Sequence, residues 1–159
     1  MLRLNIILLM LVSGLGKSQF PLGVQLTADN PAPTIVMAKF NETYPDISPI
    51  WWRSGDHYSA TFIEAPSGIK RIMVYDSFGN LVRNDSQVGE KVYPAPIKQY
   101  CNKKYPGEKY DIWSSEDSKG KKSYFLSRGR EIVWFDEQGN YRTKPGDNNS
   151  KSKSNIQFN

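Results

Sequence analysis

Apolar positions along the chain switch between two periods. Ile35, Val36, Phe40 and Tyr44 recur at helical spacing and stop at Tyr44-Pro45; Ile97, Cys101 and Tyr105 do the same and stop at Tyr105-Pro106. Proline pushes the residue before it out of α geometry, so both patterns predict helices that end at an aromatic. Period-2 runs follow. They predict strands over His57 to Glu64 and Ile69 to Asp76 around a Pro66-Ser67-Gly68 turn, and over Lys122 to Ser127 and Arg130 to Asp136 around Arg128-Gly129.

These elements fall into a repeat of about 60 residues. Trp52 and Trp113 each stand seven residues after their proline, and both are expected as core anchors. The copies close on Asp76-Ser77-Phe78-Gly79-Asn80 and Asp136-Glu137-Gln138-Gly139-Asn140. Asp accepts backbone N–H groups there and Gly supplies positive φ, which is hairpin punctuation. Each copy reads as a helix, strands and a short last strand, Leu81 to Arg83 or Tyr141 to Thr143. The expected organisation is an extended segment over 19–32, a first repeat over 33–83, a linker over 84–93 and a second repeat over 94–143. The fold class is α+β.

The order and spacing of these motifs, from Pro33 to Thr143, resemble the PepSY-like, beta-lactamase-inhibitor-like domain family of exported Bacteroidota proteins. The resemblance implies a fold like that of the beta-lactamase inhibitory protein: two tandem helix-plus-antiparallel-sheet repeats forming one concave sheet surface. It implies neither inhibition of a beta-lactamase nor any catalytic residue.

Residues 1–18 read as a secretory signal peptide, with Arg3 before the apolar run Ile6 to Val12 and cleavage after Gly16 or Ser18. The mature chain is then periplasmic or secreted. Residues 144–159 form a polar, low-complexity tail expected to be disordered. The formal charge of +5 comes largely from these ends, because residues 33–143 carry 16 basic against 14 acidic residues. That balance does not suit a nucleic-acid partner.

Catalytic and metal chemistry find little material. His57 is the single histidine and Cys101 the single cysteine, expected as a buried thiol. No catalytic residue, cofactor or metal site is assigned, and no enzyme activity is expected. Asp56, His57 and Glu64 are the nearest candidates for an alternative in which an envelope protein loosely holds a metal or small ligand. Lys103, Lys104, Lys109, Lys119, Lys121 and Lys122 give the second copy a basic excess, expected as a solvated face that an acidic partner could use.

Alternation gives the stronger lead. Met73, Tyr75, Val133 and Phe135 point one way, as a helix-covered core face would require. Lys70, Ile72, Arg130, Ile132 and Trp134 point the other way, with Tyr58, Tyr124 and Trp51 as further members of uncertain register. Aromatics with a basic rim match the composition of protein-binding surfaces. The expected function is therefore an exported, non-catalytic module that holds a protein or peptide on this face, with inhibition as one use. Packing between the two copies is the competing explanation for the same side chains.

Overall fold

A computed structural model describes residues 23–142. The expected leader, residues 1–18, and the tail, residues 144–159, lie outside the described residues. The elements are β1 (Val24–Gln25), α1 (Thr34–Thr43), β2 (Ile50–Ser54), β3 (His57–Glu64), β4 (Ile69–Asp76) and β5 (Leu81–Val88). Then come α2 (Ala95–Lys104), β6 (Asp111–Asp117), β7 (Lys122–Arg128), β8 (Glu131–Phe135) and β9 (Tyr141–Arg142). Among the described residues, no helix is long and apolar enough to cross a membrane.

All the strands belong to one antiparallel, nine-stranded sheet in which spatial order equals chain order. Each helix follows a proline, Pro33 or Pro94, whose fixed φ suits a helix start. The residues that follow the last turns, Tyr44 and Tyr105, close them with backbone bonds to Phe40 and Cys101.

The helices are seated against the Asp-x-x-Gly-Asn turns. Asp76 Oδ1 accepts from the N–H groups of Phe78 and Asn80 at 2.9 Å each, and Asp136 Oδ1 does the same for Gln138 and Asn140. Gly79 and Gly139 take φ of 84° and 87°. A Cβ on Gly139 would stand 2.8 Å from Pro94 Cβ, and one on Gly79 would stand 3.2 Å from the Ile35 carbonyl oxygen. Glycine thus serves the turn and lets the first turn of the helix approach the backbone.

Helix α1 buries Val36 and Phe40 against Ala60, Phe62, Met73 and Tyr75. Helix α2 buries Ile97 and Cys101 against Ile112, Leu126, Val133 and Phe135. Both helices therefore cover the same sheet face, the one that strand alternation assigns to Met73, Tyr75, Val133 and Phe135.

The expected linker over 84–93 needs correction. Residues 84–88 are the second half of β5, paired with β6 from Arg83↔Asp117 to Val88↔Ile112. Asn84-Asp85-Ser86-Gln87 lacks the apolar and β-branched residues that mark a strand in sequence. Its ladder partners on both sides, β4 and β6, hold it extended. The two halves are consequently joined by a strand pair inside one sheet.

Candidate functional site

The face opposite the helices carries a third apolar cluster. Ile72 and Val74 from the first half meet Trp113 and Phe125 from the second, and half-buried Val82, Ile132 and Trp134 pack around them. No residue of α1 or α2 belongs to it. Trp113, Phe125 and Trp134 are successive cross-strand partners on β6, β7 and β8. The first two rings stack at 5.8 Å and 5°, and the second pair tilts at 4.8 Å. Such ring contacts add about 0.5–1.5 kcal/mol each beyond area burial.

A charged pair crosses this cluster. Asp85 sits on β5 beside Ile72 in the ladder and is fully buried. Arg83 Nε donates to Asp85 Oδ2 at 2.9 Å, and Nη2 approaches the same oxygen at 2.8 Å. The guanidinium carbon lies 6.0 Å from the Phe125 ring centre and 5.5 Å from that of Trp134. Burial pushes the Asp85 carboxyl above its ordinary range, while the Arg83 charge pulls it back. One side of the guanidinium is thus spent on a buried carboxylate and its plane rests on aromatic rings. The rest of the side chain is 31% exposed.

The residues expected on this face separate into groups. Ile72, Ile132 and Trp134 do share the cluster, but Ile72 has 0% exposure and contributes packing rather than a contact surface. Lys70 stands two residues before Ile72 on β4, half-buried, and so shares its face. Arg130 is exposed in the turn between β7 and β8, where strand alternation does not apply. Trp51 and Tyr58 pack against the α1 cluster, and Tyr124 against the α2 cluster. These three therefore belong to the helix-covered side, contrary to the expected grouping. Trp51 pairs with Ala60, whose neighbour Met73 faces α1, and this pairing fixes the side that sequence could not. Trp113 is a core residue as expected, whereas Trp52 is half-buried.

Arg83, Asp85 and Arg142 were not singled out in sequence. Arg83 and Asp85 stand two apart in a strand, a weak signal for a pair on one face. Trp134↔Arg142 places Arg142 in the same cross-strand row as the rings.

The other candidates do not assemble. Asp56 and His57 stand at one end of β3 and Glu64 at the other, roughly 23 Å away along an extended strand. Glu64 lies 3.0 Å from Arg71 Nε. Among the described residues no group of three or more His, Cys, Asp or Glu side chains gathers as a metal site would require. Lys103, Lys104 and Lys109 precede β6 while Lys119, Lys121 and Lys122 follow it, so the six lysines split between the two ends of that strand. Cys101 is buried, and burial pushes its thiol up.

No family model matches the sequence, and no curated protein matches it. Solved structures do share the fold. A candidate periplasmic protein of Bacteroides eggerthii has a TM-score of 0.58 at 13% identity, over 70% of this chain and 86% of that one. A DUF2874 family protein of Bacteroides ovatus has 0.54 at 14%, over 72% and 86%. A BLIP-like protein of Bacteroides fragilis has 0.50 at 16%, over 71% and 84%. These neighbours agree with the resemblance carried by the repeated motifs.

Proposed function

We propose that this chain is an exported, non-catalytic binding module that grips a protein or peptide on its helix-free sheet face. The observation that carries the reading is the half-exposed rim of Ile132, Trp134 and Arg83 over an aromatic cluster that neither helix covers. Side chains of this kind, half-buried and stiffened by their neighbours, are the usual anchors of protein interfaces. Export is supported by the leader pattern and by the candidate periplasmic neighbour. Inhibition of an enzyme is one role such a grip serves, and the face is then the concave one. The two halves act as tandem repeats that meet on it. Lys70 and Trp134 are the contact residues of the expected set placed best for this, while Ile72 supports them from below.

The test is capture from envelope extract with the chain from Gln19 as bait. A Lys70→Glu, Trp134→Ala variant is run beside a Lys104→Glu control placed on α2. A protein retained by the wild type and the control but lost with the face variant supports the reading. Capture that ignores the face substitutions overturns it.

A further inference from the structure

We infer that Arg83 is the anchor for a carboxylate-bearing, acidic segment of the partner; this rests on the binding role proposed above. The guanidinium is held before any partner arrives. Asp85 Oδ2 takes Nε and Nη2, and the rings of Phe125 and Trp134 back its plane. The Nη1 edge has no hydrogen-bond or ion-pair partner among the described residues. A guanidinium fixed in this way loses little side-chain freedom on binding, and its flat fork fits a carboxylate better than a point charge does.

The surrounding charge points the same way. The row of rings on β6, β7 and β8 continues to Arg142 on β9, and Lys70 flanks the cluster on β4. Asp85 is buried, so its charge does not face a partner. The other carboxylates near this face are engaged. Asp111 accepts from Gln87 at 2.8 Å, and Asp76, Asp117 and Asp136 accept turn N–H groups at one end of the sheet. What remains toward solvent is cationic and apolar, which complements an extended segment that alternates acidic and apolar side chains. Three cations spread across a body with 16 basic and 14 acidic residues do not make the continuous basic track that a phosphate polymer needs.

The probes are two short acetylated peptides, one alternating Leu and Glu and the other Leu and Gln, with an oligothymidine as a third ligand. Binding is read from the Arg83 Nε–H and Trp134 indole NMR signals and from fluorescence titration. The Glu peptide should move both signals and bind about tenfold or more tighter than the Gln peptide, as a charge-assisted bond would give. Arg83→Gln alone leaves Asp85 buried and unpaired, so Arg83→Gln with Asp85→Asn is the variant to use; it should remove the preference. Lys70→Glu with Arg142→Glu tests the flanking charge without touching the buried pair and should also weaken the Glu peptide. Equal affinity for both peptides, with the Trp134 signal moved, overturns the carboxylate anchor and leaves the binding face standing. Silence from both peptides also overturns the anchor, and the envelope capture then judges the face by itself. Tighter binding of the oligothymidine overturns the acidic partner in favour of a phosphate one.

Discussion

At the scale of single residues, the Arg83–Asp85 pair is the least expected feature. A carboxylate with no exposed surface must give up its hydration, and pairing in low dielectric offsets that cost only with good geometry. Burial raises the Asp85 pKa above its unfolded value, so this group favours the folded state most below the unfolded pKa. That contribution is lost as pH rises through the folded pKa. The Asp76, Asp117 and Asp136 turns have the opposite sign. Asp76 is lowered chiefly by Asn80, and Asp117 by the Lys121 and Lys119 N–H groups. In Asp136 burial raises the pKa, but the Asn140 bonds and Arg142 outweigh it. Those three support the fold above their unfolded pKa and release it on acidification. The stability of Asp85→Asn relative to wild type should therefore improve as pH is raised from about 3.5 to 7, a range that spans the ordinary carboxyl values. Urea titrations at several pH values measure this, and a constant difference would contradict the assigned burial cost.

At the scale of elements, the Asp-x-x-Gly turn is the unit that seats a helix. Gly139 combines φ of 87° with a virtual Cβ 2.8 Å from Pro94, whereas Gly120 has φ of 77° and open space around it. Alanine at either site meets the left-handed backbone penalty of about 1–2 kcal/mol. Gly139→Ala should cost more than Gly120→Ala, because α2 must also move away from the turn. Thermal denaturation of the two variants compares them directly; equal losses would mean that the helix yields freely. Much of this level was legible in sequence. Helix ends at Tyr44 and Tyr105, the bounds of β3 and β4, and the turn role of Asp76 and Asp136 follow from proline, period and Asp-Gly spacing. The same spacing at Asp117-Ser118-Lys119-Gly120 marks a third such turn between β6 and β7 that repeat matching passed over. The second half of β5 was not legible, because its polar residues are extended by their neighbours rather than by their own preference. The candidate site was partly legible for a related reason. Alternation within β4 and β8 sorted Ile72, Ile132 and Trp134 correctly, but Trp51, Tyr58 and Tyr124 needed pairing partners to choose a side.

At the scale of the whole molecule, the β5–β6 ladder and the cluster of Ile72, Val74, Trp113 and Phe125 make the halves one cooperative body. Separating them would open a strand edge and expose aromatic surface on both sides. Denaturation followed by tryptophan fluorescence and by far-UV circular dichroism should give one superimposable transition. Two separated transitions would instead show halves that fold alone. The same joint ties binding to stability. A partner seated on Trp134 and Arg83 touches residues that hold the halves together, so occupancy should raise the unfolding temperature as well as report contact.

The sheet order also bears on how the molecule comes to be folded. Every strand pairs with the one before and after it in the chain, and no strand must wait for a distant segment. Only the stretches that carry α1 and α2 separate successive strands by more than a tight turn. Loop-closure entropy is therefore met in small instalments. A β-rich chain arranged in this way should refold faster than a sandwich of equal length, whose long-range pairings must be found before they are rewarded.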